Sequence, residues 1–317
     1  MLTIDGLDNK WSGLREASGE PVYQGYDSTH PLRFFIGLDS VGNREFFIII
    51  GNKPAHVPQS SRSIEVSIGL RRDGTHTLVF RLVQPNQQEV FTHLCWDLAE
   101  ASRACKDTEK GLAIILARYA LWQRLMEKGN LGLLSEQELK GLFGEIYYLK
   151  NRLLDKYGVN VAVAGWIGPT QADRDFIFED YWYEVKTTNP GASSIKISSI
   201  EQLDTDDVGR IVWLQVEKTA STDPEAVSLP LLIEQTRINL EGFPEAVETF
   251  NMRILESGFI DHKEYDDIYF ACRNIRLFSV SDGFPRIRRT NIDPSIASAS
   301  YEISIAGIHG YELHGEE

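Results

Sequence analysis

Short apolar runs separated by polar turns dominate the N-terminal part of the chain. Arg33 to Leu38 and Glu45 to Ile50 are such runs, and Asp39-Ser40-Val41-Gly42-Asn43 between them has turn composition. Ser63 to Ile68 alternates polar and apolar residues, as a half-buried strand requires, and Thr77 to Val83 follows the turn Arg72-Asp73-Gly74. The pattern predicts an antiparallel meander or small barrel of about 90 residues.

Helical spacing begins near Val90. It predicts helices over Phe91 to Ala104 and Thr108 to Lys128, the second closed by Gly129-Asn130. A third opens at Ser135-Glu136-Gln137-Glu138, a capping box. Its apolar face is Leu139, Leu142, Phe143, Ile146, Leu149 and Leu153. Gly141 and Gly144 favour helix poorly, which points to an element packed close against this face. Next come strands at Asp175 to Phe178 and Trp182 to Thr188 around a Glu179-Asp180 turn, then a short strand at Ser194 to Ser198. Ser198 to Leu203 carries Ser-x-x-Glu, a helix start. A strand at Arg210 to Val216 follows, with helices at Leu229 to Asn239 and Pro244 to Ser257. Strands return at Ile268 to Ala271, Ile275 to Val280 and Tyr301 to Ile305. The fold class expected is α/β (α+β): a β-rich subdomain over 1–106 and a mixed sheet flanked by helices over 107–317.

With 317 residues, 42% hydrophobic and 25% charged, the chain has the make-up of a globular protein with a sizeable core. No apolar stretch is long enough to span a bilayer, and the N-terminus lacks a basic region followed by an apolar run, so a cytoplasmic location is expected. Cys95, Cys105 and Cys272 are scattered without a CxxC pair, which argues against a structural zinc site. A net charge of -14 counts against a non-specific nucleic-acid coat protein, which needs Lys and Arg to neutralise phosphates. It is compatible with a nuclease, since metal-binding carboxylates add negative charge themselves. There is no GxxxxGK[ST] loop, no GxSxG elbow and no paired histidine spacing.

The candidate chemistry lies on the hairpin. Side chains alternate faces along a strand, so Glu184 and Lys186 share a face with Trp182 and Thr188. A turn at Glu179-Asp180 sets Asp175 opposite Glu184; a turn at Asp180-Tyr181 sets it opposite Lys186. Either register gathers all three on one face. Two close carboxylates repel unless a cation lies between them, and hard oxygen donors suit Mg2+ or Mn2+. Such an ion polarises a phosphate and acidifies water, while a lysine beside it offsets charge building on phosphorus. Glu145 borders the apolar helix face and is a fourth candidate. Acidic-x-Lys triplets also occur at Asp8-Asn9-Lys10, Glu138-Leu139-Lys140 and Asp261-His262-Lys263, where a solvated surface pair is the natural reading. Glu184-Val185-Lys186 differs by sitting in an apolar, aromatic strand, where a cross-strand salt bridge is the alternative to a functional role.

The stretch Pro169…Asp175…Glu184-Val185-Lys186, with Gly144-Glu145 on the preceding helix, resembles the PD-(D/E)XK nuclease motif of the restriction-endonuclease-like fold. Gly141 to Glu145, Asp175-Phe176, Glu184 to Thr188, Ser199 to Leu203 and Gly283 to Ile287 together resemble a bacterial family of PD-(D/E)XK motif proteins. The resemblance implies a DNA endonuclease of a restriction or defence system, with partner subunits or a homodimer as further possibilities. It implies Asp175, Glu184 and the Val185 carbonyl as metal ligands and Lys186 as catalytic. The proline is not adjacent to the aspartate, and Asp173 has the same strand parity as Asp175. Gln202 is a candidate contact to substrate or to the lysine, Lys196 a candidate phosphate contact, and Arg286 heads the densest basic cluster. The alternatives are a non-catalytic DNA-binding or adaptor subunit with the same fold, or hydrolysis of RNA.

Overall fold

Apolar alternation in the N-terminal part produces a sheet whose inner face is covered by helices. The computed structural model describes residues 2–14, 20–127, 133–170 and 172–314. The N-terminal unit, Met1–Gly132, contains α1 (Ile4–Gly13), β1 (Val22–Gly25), β2 (Phe34–Leu38), β3 (Arg44–Ile50), β4 (Ile64–Leu70), β5 (His76–Leu82), α2 (Gln88–Ala101) and α3 (Thr108–Glu127). Its strands run in the order β1-β2-β3-β5-β4, all antiparallel. The sheet is therefore open rather than a barrel, and it is not a plain meander, because β5 lies between β3 and β4. Phe34, Ile36, Phe46, Ile48, Leu78 and Phe80 are buried, and Phe80 packs on Tyr119 of α3 at 4.8 Å between ring centres. α3 thus belongs with this sheet, and the units divide after Gly132 rather than at 106/107. The expected Gly129-Asn130 stop lies outside the described residues.

In the second unit, Leu133–Glu317, the capping box opens α4 (Glu136–Tyr148): Ser135 Oγ accepts from the Glu138 N–H at 3.3 Å and Glu138 Oε2 from the Ser135 N–H at 2.8 Å. The helix runs through a π turn at Leu149–Leu153 into α5 (Leu154–Tyr157), and α6 (Val159–Gly165) follows. Then come β6 (Phe176–Ile177), β7 (Trp182–Thr188), β8 (Ser194–Ile197), β9 (Gly209–Thr219), β10 (Val227–Ser228), α7 (Leu229–Asn239), α8 (Pro244–Glu256), α9 (Lys263–Asp266), β11 (Tyr269–Val280), β12 (Tyr301–Ser304) and β13 (Glu312–Leu313). The main sheet has the order β10-β11-β9-β7-β6, with β13 added on β11. β7 and β9 are parallel and the other pairs antiparallel.

Three details differ from the expectation. β11 is one strand, because a bulge between Cys272 and Asn274 absorbs the break in its pattern. The stretch after Ser198 is a turn, not a helix start; Ile200 and Leu203 are buried in it. β8 leaves the main sheet and pairs with β12 as a separate ribbon.

One core lies between the sheet and α4, α7 and α8, with Phe143, Trp166, Tyr183, Val212, Leu214, Phe250 and Phe270 at its centre. A second covers the other face with Trp182, Ile195, Ile197, Leu203, Ile211, Trp213 and Phe284. β7 and β9 are therefore buried on both faces, as parallel strands usually are. This places Glu184 in an apolar setting and makes its charge costly. No described helix is long and apolar enough to cross a membrane.

Candidate active site

The hairpin adopts the first of the two registers. Phe176 pairs with Tyr183 and Ile177 with Trp182, so Asp175 follows on opposite Glu184, and the turn is at Glu179-Asp180. Its ends are tied by the Phe178 N–H to the Tyr181 carbonyl at 3.0 Å and the Asp175 N–H to the Tyr183 carbonyl at 3.2 Å. The strand proper is only two residues long, and Asp175 sits just before it. The Asp175 carbonyl accepts from the Ile167 and Gly168 N–H groups at 2.8 and 2.9 Å, which fixes the residue between β7 and the end of α6. Asp175 Oδ2 accepts from the Val185 N–H at 2.7 Å. Asp173 is exposed.

Lys186 Nζ donates to Glu184 Oε1 at 2.6 Å and to Gln202 Oε1 at 3.1 Å. The same Gln202 oxygen accepts from the Ser198 N–H at 2.9 Å, so the turn after β8 holds the amide that holds the lysine. From the helix side, Glu145 Oε2 accepts from Trp166 Nε1 at 2.8 Å. The expected set Asp175, Glu184, Lys186, Glu145 and Gln202 is thus linked by hydrogen bonds or mutual electrostatics in one place.

Burial drives the electrostatics here. It raises the Glu184 carboxyl above its usual range, and the neighbouring Asp175 charge adds to the shift, against the pull of Lys186. Burial likewise raises Asp175, opposed by Lys186 and the Val185 N–H. Glu145 is raised well above its usual range, first by burial and then by Asp175. Only 2% of Glu184 is exposed, and its Oε2 is buried without a hydrogen-bond partner.

Three mutually repelling carboxyls and an orphaned carboxylate oxygen are what a hard divalent cation would satisfy, and the all-oxygen donor set fits Mg2+ or Mn2+. As the side chains stand, no group of three or more His, Cys, Asp and Glu among the described residues has ligating geometry. The reason is local: Glu184 Oε1 is engaged by Lys186, and Asp175 Oδ2 by the Val185 amide.

Two other expected contacts stand elsewhere. Lys196 is exposed on β8 opposite Glu302. Arg286 donates to the Leu203 carbonyl at 3.2 Å, and its neighbours are matched by acids: Arg288 by Asp204 and Asp206, Arg289 by Glu201. The basic cluster is thus largely neutralised by the turn it packs on.

Three residues escaped the sequence reading. Trp166 orients Glu145. Gly168 leaves room for the carboxylates, since a Cβ there would meet Asp175 Oδ1 at 2.8 Å and Glu145 Oε2 at 3.0 Å. Arg174 lies over the Trp182 ring at 5.0 Å, and its charge reaches Glu184. Only Gly168-Pro169, just upstream of the motif, carried a sequence signal.

No curated protein and no solved structure matches this chain. The model of the family described as "Putative PD-(D/E)XK family member (DUF4420)" matches residues 7–306. The match runs over most of the chain, which therefore belongs to this PD-(D/E)XK family.

Proposed function

We propose that the protein is a divalent-metal-dependent DNA endonuclease acting through Asp175, Glu184, Lys186 and Glu145. The observation that carries this reading is the convergence of Asp175, Glu184 and Lys186, from two strands, around a buried carboxylate oxygen with no partner. Asp175, Glu184 and the Val185 carbonyl would hold Mg2+ or Mn2+. When bound, the ion supplies charge to a phosphate oxygen and acidity to water. Lys186 would offer its ammonium to the attacking water or to the phosphoryl oxygens. Gln202, which accepts from Nζ, would keep it pointed at the site. Glu145, held by Trp166, would add a carboxyl on the helix side that can take a proton. Lys196 and Arg286 would contact the DNA backbone away from the carboxylates, Arg286 after shedding its tie to Leu203. A role in restricting foreign DNA, in the cytoplasm and with partner subunits or as a homodimer, belongs to the same reading. It would show as a lower transformation efficiency for unmodified plasmid in cells carrying the protein.

The test is cleavage of supercoiled plasmid with Mg2+ or Mn2+. EDTA should abolish nicking, and Lys186→Ala should lower the rate on the order of 10²-fold or more, as removal of a group stabilising transition-state charge does. Equal rates for the parent and Lys186→Ala would sink the assignment. Competition by RNA separates a ribonuclease from a deoxyribonuclease. The closed Glu184–Lys186 pair favours one second reading, a DNA-binding or adaptor subunit that keeps the fold without catalysis. Calorimetry showing no Mn2+ binding, together with retained DNA or partner binding, would select it.

A further inference from the structure

The residue just before Asp175 is a cation for which the carboxylate cluster has no evident use. Arg174 stands in the bend that precedes β6, and its guanidinium lies over the Trp182 ring, 5.0 Å from the ring centre. Trp182 shares a face of β7 with Glu184 and Lys186. The guanidinium therefore borders that face of the site, and its charge reaches Glu184.

The ring beneath it is fixed by its surroundings. Trp182 pairs with Gly209 on β9, and a Cβ at Gly209 would meet the indole at 1.9 to 2.3 Å. Only a glycine lets the ring lie so close to the β9 backbone. Trp182 Nε1 donates to the Asp207 carbonyl at 3.1 Å. The same connection between β8 and β9 carries Gln202, which accepts from Lys186. One segment thus supports both cations at the cluster.

Arg174 is partly exposed, yet its Nε is buried and has no hydrogen-bond partner. Glu184 Oε1 is taken by Lys186, and Glu184 Oε2 is also buried without a partner. Two orphans of opposite sense, a donor and an acceptor, therefore stand at one site and do not satisfy each other. Burying either one unpaired is costly. Each has a reason to be there if its partner comes from outside: a cation for the oxygen and an anion for the nitrogen. Stacking leaves this open, because the ring covers a face of the guanidinium while its N–H groups point outward in the plane. That fork matches the two free oxygens of a phosphodiester. Arg288 and Arg289 differ, since acids already match them.

We infer that Arg174 binds a backbone phosphate of the DNA strand beside the carboxylate cluster, held over Trp182 for that purpose. The inference rests on the nuclease reading for its ligand and adds the residue that holds the strand at the site. A purely structural Arg174 would steady Trp182 and offset the Glu184 charge, and its loss would appear in stability and not in DNA affinity.

Equilibrium binding of the full chain to a short duplex DNA, over a series of salt concentrations, separates the two roles. Binding is read in EDTA and again in Ca2+, which also takes oxygen ligands. Arg174→Gln should weaken binding about tenfold and make the dependence of log Kd on log salt shallower by about 0.9, the share of one phosphate. Arg174→Lys should keep the slope, because the charge is kept, and recover only part of the affinity, because the fork is lost. Thermal melting reports whether each variant is folded. A folded Arg174→Gln with the parent's salt slope overturns the inference; if the parent nicks plasmid, the nuclease reading still stands. Should Arg174→Gln not fold, Arg174→Lys decides, and an affinity equal to the parent's overturns the inference. A parent that binds no DNA in either buffer removes both readings.

Discussion

Glu184, 2% exposed and paired with Ile211 of β9, pays heavily in lost hydration. Lys186 compensates one carboxylate oxygen at 2.6 Å and leaves Oε2 without a partner. Burial raises all three carboxyls, and the charge of Asp175 adds to the shift at Glu184 and Glu145. Raised values mean that the metal-free protein holds protons at a pH where ordinary carboxylates have lost them. A bound cation favours the charged form, so binding must expel those protons. Mn2+ binding near neutral pH should therefore release protons, and its apparent affinity should rise with pH. Calorimetry in two buffers of different ionisation enthalpy reads this directly; an enthalpy independent of buffer would remove Glu184 and Asp175 from the ligand set. Strand parity made the shared face of Glu184 and Lys186 legible in the sequence. The Trp166–Glu145 bond joins residues 21 apart along the chain through a helix junction, and no spacing rule signals it.

At the scale of elements, Gly144 decides how closely α4 approaches β7. A Cβ there would meet Thr187 Cγ2 at 2.2 Å, a distance that forces the helix or the strand to move. Gly144→Ala gains about 1 kcal/mol of helix propensity. Overpacking of this severity costs roughly 1–3 kcal/mol, so the variant should lose up to about 2 kcal/mol of stability in denaturant unfolding. Thr187→Ala removes the colliding methyl and should restore part of the loss, which makes the pair non-additive. A gain in stability close to the full helix-propensity increment in Gly144→Ala would mean that α4 and β7 are not in this contact. The two glycines looked alike in the sequence, yet a Cβ at Gly141 meets nothing within 4 Å. The helix capping and the hairpin turn were equally readable, because both are local. The turn after Ser198 was misread as a helix: its Ser-x-x-Glu pattern is local, but burial of Ile200 and Leu203 and the demand of Gln202 on the Ser198 N–H override it.

For the molecule as a whole, the N-terminal unit has its own titrating weak point. His30 is buried: its Nδ1 accepts from the Leu32 N–H at 3.0 Å, and its Nε2 lies 2.8 Å from the Ala99 carbonyl on α2. These contacts suit the neutral ring. Burial lowers its pKa below the ordinary 6.5, assisted by the Arg103 charge and opposed by Glu100 and the carbonyl contacts. The unfolded chain therefore takes up the proton first as pH falls. The contribution of His30 is fully present above about 6.5 and is lost as pH drops through the folded-state value. Thermal melting of the N-terminal transition should shift downward below pH 6.5, and His30→Gln should flatten that dependence. A pH-independent transition in the parent would refute the neutral buried ring.

By itself the sequence determined what depends on near neighbours: most strands and helices, the capping box, a tight hairpin turn at Asp180 in one of two registers, and the common face of Glu184 and Lys186. Period and parity are properties of a few consecutive residues, so they survive in the chain as written. Tertiary structure decided which strands neighbour which, where the units divide, and which charges meet. Trp166 beside Glu145, Gln202 on Lys186 and Asp204 beneath Arg288 all depend on long-range packing. Such encounters are set by the shape of two cores on either side of one sheet, which residue spacing does not encode.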